Sequence, residues 1–221
     1  QDEVKELLRT TAEKMLSWLE EISFVNGEIP MLNDSTQGIA PVTSDLIHYA
    51  QQLGLNWTKN GLSDSGYRKL TGKDFELVVD VGQIAPSYQP GHSHADNLNI
   101  VLHYKNQPII VDRGISTYEK NSARQEERSS FSHNTVIVND INSSEVWSGF
   151  RVGKRAKTIL HSESDKHLKA SHNGYRKMGC EITREIHCLD NQLLIKEIIE
   201  GQGIDSLKVE GHLHLHPDVL C

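Results

Sequence analysis

Cysteine is nearly missing from this 221-residue chain: Cys180, Cys188 and Cys221 are the only three, with no CxxC pair among them. An odd count without paired spacing indicates neither a disulfide framework nor a thiolate zinc site. Long apolar runs are missing too. No stretch approaches the ~18 residues that would span a bilayer, and the mean hydropathy is −0.48, which excludes an integral membrane protein crossing by helices. No basic segment followed by an apolar one opens the chain, so no signal peptide is visible. Basic residues are in deficit, 23 against 30 acidic, for a net charge of −7. That balance argues against nonspecific binding to nucleic acid, whose backbone is polyanionic. Acidic sugars stay open, because a few local arginines bind a carboxylate even on an acidic protein. What the chain does have is a 37% apolar content, enough for one large domain or two small ones, and twelve histidines, several at short patterned spacings.

The chain changes character near residue 65. Val4, Leu7, Leu8, Ala12, Met15, Leu16, Leu19 and Ile22 recur at helical spacing, so Glu3 to Ile22 reads as an amphipathic helix. A turn-like stretch from Asn26 to Pro41 follows. Thr43 or Ser44 is then positioned to cap a second helix that runs through Leu53 and ends at Gly54. Beyond Leu55 the period becomes two. Strands are expected at Tyr67–Leu70, Phe75–Val81, Asn97–Tyr104, Pro108–Asp112, His133–Asn139, Arg151–Leu160, His167–His172, Glu181–Cys188, Leu193–Ile199 and Leu207–Leu215, with hairpin turns at Lys105-Asn106 and Asp190-Asn191. Short strands in meander order with no helices between them predict a mainly β protein: an antiparallel β-sandwich preceded by two α-helices. The division falls between a helical segment, 1–60, and a sandwich, 61–221. Two helices are too few to bury each other's apolar stripes, and the last strand stops close to Pro217 and Val219-Leu220. Both features suggest part of a larger protein.

The densest chemistry lies between Pro90 and Asn139. Pro90-Gly91-His92-Ser93-His94-Ala95-Asp96-Asn97 carries two imidazoles and a carboxylate at i, i+2 and i+4, which extended backbone turns to one face. Such a cluster is costly to bury unless it holds a metal, a proton or a substrate. Asp112 ends the apolar run Pro108-Ile109-Ile110-Val111, and His133 opens His133-Asn134-Thr135-Val136. Two histidines and an aspartate form a zinc set with an open position for water. One geometric condition follows. A tight hairpin at Lys105-Asn106 pairs Asp112 near Asn99, so the segment before Asn97 must fold back if His94 is to reach the same ion. Arg124 and Arg128 flank Glu126-Glu127; they either grip a carboxylate or sulfate bidentately or form a solvated, self-paired loop.

As an ordered set, Pro90-Gly91-His92-Ser93-His94-Ala95-Asp96, Leu98-Asn99-Ile100-Val101-Leu102, Val111-Asp112-Arg113-Gly114, Tyr118, Arg124, Arg128-Ser129-Ser130, Ser132-His133-Asn134-Thr135-Val136 and Phe150-Arg151-Val152-Gly153 resemble the C-terminal region of the heparinase II/III family of polysaccharide lyases. That bacterial family includes relatives acting on alginate. The resemblance covers about Gly66 to Arg155, and the helices before residue 55 resemble the end of the (α/α) toroid that precedes the sandwich there. It implies β-elimination on an acidic, uronic-acid-containing polysaccharide, of glycosaminoglycan, alginate or capsular type. It also implies a periplasmic or secreted location, with any signal upstream of Gln1. By the same resemblance His92 is the catalytic acid/base, and His94, Asp112 and His133 hold a structural metal, commonly Zn2+. Asp96 becomes a supporting or strand-start group. Tyr118 either contributes a phenol or packs, Arg124 and Arg128 are candidates for substrate binding, and Asn134 either orients a loop or meets sugar. Arg113 departs from the family pattern beside the metal set. The family's toroid also places an asparagine and a tyrosine opposite the sandwich histidine, and only the last toroid helices are present here, so the chain alone is expected to bind metal with little turnover.

Two other classes compete. A cupin-like metal enzyme shares the HxH pair and short strands, but no glutamate follows at the spacing that would complete its site. A noncatalytic carbohydrate-binding sandwich calls for a surface row of aromatics, yet aromatics make up 6% of the chain and Trp147 is the sandwich's only tryptophan. The remaining histidines read as ordinary strand residues: His103, His161, His167, His172 and His187 singly, and His212, His214 and His216 as one face of a polar strand.

Overall fold

The computed structural model describes residues 2–62, 65–86 and 88–219. Leu220 and Cys221, which the sequence reading singled out, lie outside them. Helix α1 spans Asp2–Ile22 and α2 Thr43–Gln52. Asp2 and Glu3 in the first turn of α1 complement the positive end of the helix dipole. Of α1 only Ser17 and Ile22 are buried, while Val4, Leu7, Leu8 and Met15 stay largely exposed. The apolar stripe read from the sequence is thus largely uncovered at Val4, Leu7, Leu8 and Met15 and covered only toward Ile22. Neither Thr43 nor Ser44 caps α2. The cap position falls on Val42, and the Thr43 hydroxyl instead lies 3.2 Å from Ser23 Oγ, tying α2 to the end of α1.

Twelve strands follow: β1 Tyr67–Thr71, β2 Phe75–Asp80, β3 Ile100–Tyr104, β4 Gln107–Ile110, β5 Val136–Val138, β6 Val146–Trp147, β7 Arg151–Val152, β8 Thr158–Ser164, β9 His167–His172, β10 Cys180–Leu189, β11 Gln192–Gly201 and β12 Val209–Gly211. A short helix, α3, covers Ser122–Glu127. Strands β1 to β4 form one antiparallel sheet in chain order, β8 to β11 a second, and β5 with β12 and β6 with β7 make two small ribbons. The inward residues of alternating strands explain the pairing. Leu70, Leu77, Val79 and Ile100 of the first sheet share a core with Leu168, Ala170, Ile186 and Cys188 of the second. Each Leu, Val and Ile among them contributes on the order of 1.5–3 kcal/mol. The first sheet is covered on its other face as well, because Val78 and Val101 pack with Ile22, Phe24, Leu32 and Leu62. Phe24 stacks on His103 with ring centroids 3.6 Å apart. The segment that leaves α1 is therefore pressed onto the sandwich.

Both expected hairpins form. Lys105 and Asn106 adopt φ of 49° and 62°, the left-handed pair of a type I′ turn, and Asp190-Asn191 joins β10 to β11. Several expected strands change, His133–Asn139 shrinking to Val136–Val138. Asn97–Tyr104 begins only at Ile100, because Leu98 takes φ 61° and Asn99 N–H donates to the Asp96 carbonyl, reversing the chain. Arg151–Leu160 splits into β7 and β8, since residues 153–157 bond to the Glu145 loop and to the Asn173 side chain instead of continuing a ladder. The end strand, expected over Leu207–Leu215, keeps only β12 and an isolated bridge from Leu215 to Ile110.

Candidate functional site

The reversal at Leu98 satisfies the geometric condition set by the hairpin. It carries the 92–96 segment back over the end of the first sheet, where it meets the segment after β4 and the 3-10 turn Ser130–Ser132 before His133. At their junction sits a residue the sequence reading passed over. Asp34, on the stretch between α1 and α2, accepts from His92 Nδ1 (2.7 Å), His94 Nε2 (2.9 Å) and both terminal nitrogens of Arg124, one of them at 2.8 Å. Burial works against its charge, but the hydrogen bonds from His94, Arg124 and His92 outweigh that and bring its pKa down to about 2. Asp34 is therefore an anion that fixes three cations or donors at once. His92 keeps 57% of its side chain exposed at the edge of a ≈750 Å3 cleft also lined by Tyr67, Arg68, Tyr88, Gln89 and Asp96. Tyr118 and Phe150 stand edge-on to its ring at 6.0 and 6.4 Å.

Behind this front lies a wholly buried pair. His133 Nδ1 is 2.7 Å from Asp112 Oδ2, and both side chains are fully enclosed. Burial opposes the charge on His133, but the Asp112 carboxylate carries its pKa above the ordinary imidazole value; Asp112 in turn is held below the usual carboxylate range by His133 against its own burial. Asn99 donates to the same Asp112 oxygen, so the expected neighbourhood of Asp112 and Asn99 is met through a side chain. His94 is also enclosed, and burial pushes its pKa down to about 4, leaving the ring neutral. Its ring lies 5.1 Å from that of His133. With Nε2 of His94 committed to Asp34 and Nδ1 of His133 to Asp112, the opposite nitrogens, His94 Nδ1 and His133 Nε2, are buried and without a protein partner. Two imidazoles, each oriented by a carboxylate and each left with a free buried nitrogen, could serve as donors to a metal. In this arrangement Asp112 touches His133 directly. Among the described residues, the group that does bring three ligand atoms within 4.8 Å of one another is His167, Glu185 and His187, on the second sheet.

Other site candidates are placed differently from the sequence expectation. Arg124 and Arg128 do not form a solvated loop or reach toward solvent. Both are fully buried; Arg124 is spent on Asp34 and the Gly149 carbonyl, with its guanidinium 5.3 Å from the Tyr118 ring and 5.4 Å from that of Phe150, and Arg128 on the Ser93, Trp147 and Arg151 carbonyls. Asn134, expected to orient a loop or meet sugar, is also fully buried. Its amide donates to the Ile100 and Val111 carbonyls and its oxygen accepts from His214 N–H, so it ties three segments together. Glu126-Glu127 is not wholly solvated either: Glu126 pairs with Arg113 at the surface, whereas Glu127 is buried on Ser116.

Sequence reasoning also missed His214 and Arg184. His214 leaves a buried Nε2 unpartnered near Asp112 and His133. Its only signal was the alternation His212, His214, His216. Arg184 reaches from β10 to the Leu98 and Asn134 carbonyls while pairing with Glu197, so it props the reversed loop from the second sheet. Nothing in its sequence neighbourhood foretells that.

A sandwich with a histidine-rich end fed by the loop before one strand and the segment after the next is the architecture of a recognised class. Residues 55–221 match the family model described as heparinase II/III-like, C-terminal, and the chain belongs to that family. Among solved structures it is similar to a heparan sulfate lyase, HepC, from Pedobacter heparinus: TM-score 0.61, 16% identity, covering 82% of this chain and 31% of that one. A heparinase III, the BT4657 gene product, gives 0.59 at 18% identity over 86% of this chain and 32% of the other. A further heparinase III gives 0.58 at 15% identity over 90% and 35%. The chain thus spans about a third of the length of these structures, and at such identity they show its fold. No curated protein is significantly similar to it. Among the described residues no helix is long and apolar enough to cross a membrane.

Proposed function

We propose that this chain supplies the sandwich part of a lyase that cleaves a uronic-acid-containing polysaccharide by β-elimination, with His92 as the proton-transferring group. The setting of His92 carries the reading. Asp34 is ionised and accepts a hydrogen bond from Nδ1, which leaves Nε2 free on an exposed ring beside Tyr118 at the edge of a cleft. In the reaction a base removes the C5 proton of the uronate, the electron pair forms the C4–C5 double bond, the C4–O4 bond breaks, and O4 takes a proton. A histidine can take or give a proton in such a step. The Tyr118 phenol, with its pKa raised by partial burial and by Asp34, stays protonated and is the second candidate for donating to O4. Arg124 acts at one remove by holding Asp34 in place, and Arg128 and Asn134 shape the loops beneath.

His94, Asp112 and His133 would hold a structural divalent metal, with zinc suited to two imidazoles and a carboxylate. The two unpartnered buried nitrogens support the imidazole part of this set, while Asp112 would have to exchange its hydrogen bond to His133 Nδ1 for the ion. When bound, the ion would cross-link the loop before β3 to the segments after β4 and before β5. Because the similar structures are about three times longer, the opposing substrate contacts are proposed to come from a complete helical toroid, and the polymer to be met outside the cytoplasm of a bacterium.

Two measurements test this. Elemental analysis is expected to find about one zinc per chain, lost in His94→Ala, Asp112→Ala and His133→Ala; no metal in the unsubstituted protein overturns the assignment. With a complete toroid attached, absorbance of the unsaturated product is expected on one of a panel of heparan-type, alginate and other uronate polymers, and to vanish in His92→Ala. Undiminished turnover in that variant removes His92 from the chemistry.

A further inference from the structure

The outer face of the second sheet carries a feature that the lyase reading leaves unused. In the register of β9 and β10, His167 stands directly opposite His187. Glu185 lies two residues before His187 and so on the same face of its strand. Leu168, Ala170, Ile186 and Cys188, which alternate with these residues, point into the core, so the three side chains occupy the solvent side of the sandwich. They converge. His167 Nε2 is 3.2 Å and His187 Nε2 3.5 Å from the same oxygen, Glu185 Oε1, and the two rings are 4.7 Å apart.

We propose that His167, Glu185 and His187 form a second, exchangeable binding site for a borderline divalent metal of the Zn2+, Cu2+ or Ni2+ kind, stapling β9 to β10. Three arguments select that class. Two imidazole nitrogens with one carboxylate oxygen suit these ions, whereas Ca2+ and Mg2+ call for oxygen ligands throughout. The ligand atoms already lie within 4.8 Å of one another on paired strands, and β10 is bonded along both edges, so little ordering is left for the ion to impose. Two imidazoles this close cannot both be protonated without repulsion, and the carboxylate beside them provides the charge a cation needs. Lys169 and Lys196 stand opposite Glu185 on the two neighbouring strands and weaken the site for any cation. With all three ligands only partly buried, the result is an exchangeable ion with open positions for water, unlike the enclosed set around His133.

The site is independent of the lyase reading, and its test separates the two. Titration of the whole chain with Zn2+ alone, followed by calorimetry, is expected to show one exchangeable equivalent that is absent from His167→Ala and His187→Ala and at least about tenfold weaker in Glu185→Gln. His94→Ala is expected to keep it. At 100 times the dissociation constant, Zn2+ raises the Tm by about 5–10 °C in the unsubstituted chain and not in His187→Ala. Because the three side chains sit on the surface, the metal-free Tm of each variant stays near that of the parent, so lost binding is not lost folding. An exchangeable equivalent that persists in both histidine variants, or no such equivalent in the parent, overturns the proposal whatever the buried set is found to hold.

Discussion

Removing the Asp34 carboxylate tests the hub of the site. In Asp34→Ala, Arg124 loses a bidentate partner at a position with no solvent exposure, and His94 Nε2 loses the acceptor that fixes its ring. Leaving a buried charge unpaired costs about 3–5 kcal/mol. For a chain of this size each kcal/mol moves the Tm by about 2–4 °C, so the shift is about 6–20 °C downward. Urea unfolding of metal-free protein, prepared with a chelator so that lost metal does not mimic lost stability, reads this directly. Asp34→Ala combined with Arg124→Met removes the orphaned charge and fills its space, so the double variant is expected to recover about 1–3 kcal/mol relative to the sum of the single ones. A single variant within about 0.5 kcal/mol of the parent, or strict additivity in the double, refutes the reasoning that Asp34 and Arg124 are a coupled buried pair.

Three further outcomes are expected. His172, enclosed at the end of β9 with its Nε2 unpartnered, has its pKa lowered to about 3 by burial and by Arg184. Its folded value lies below the unfolded one near 6.5, so the unfolded chain takes up the extra proton and stability falls as pH drops through that window, by up to about 1.4 kcal/mol per unit; urea midpoints at pH 7, 6 and 5 should show a shallower loss in His172→Gln, and equal slopes would exclude His172 as the cause. Gly114 sits at φ 57° with the Ser35 carbonyl 2.1 Å from where a Cβ would be. Gly114→Ala should therefore destabilise by more than the ~1 kcal/mol of backbone strain alone and release the 33–35 segment to proteolysis, and protease resistance equal to the parent's would count against that close approach. Arg184→Met should loosen the Leu98 reversal, seen as faster amide exchange at Asn99 and Ile100, while unchanged exchange there would show that the reversed loop stands without its prop.

The local part of this fold was legible. Period-two runs marked most strands to within a few residues, and Lys105-Asn106 and Asp190-Asn191 announced their hairpins, because strand alternation and turn chemistry are written in adjacent residues. The ordered motifs from Pro90 to Gly153 pointed to the family, and through it to His92, His94, Asp112 and His133. What could not be read is what depends on distance along the chain. Asp34 lies 58 residues from His92 and 90 from Arg124. A lone aspartate in a turn-rich stretch gives no sign that three partners will meet it. The same holds for the burial of Arg124 and Arg128: their charge suggested solvent, and only the tertiary structure shows carbonyls and a carboxylate turning them inward. Leu98 in a left-handed conformation was hidden for another reason. Its side chain is an ordinary strand residue, and the strain is offset by contacts made elsewhere.

Asp34 belongs to the connection between the two helices, yet every group it holds belongs to the sandwich. Cohesion along that seam and the posture of His92 are consequently one equilibrium. Anything that pries the connection off the sheet strips His92, His94 and Arg124 of their shared anion together. By reciprocity, anything that favours the Asp34-bound posture of His92 tightens the seam by the same factor. A ligand in the cleft that favours this posture of His92 would then tighten the hold on the helical segment, through one carboxylate.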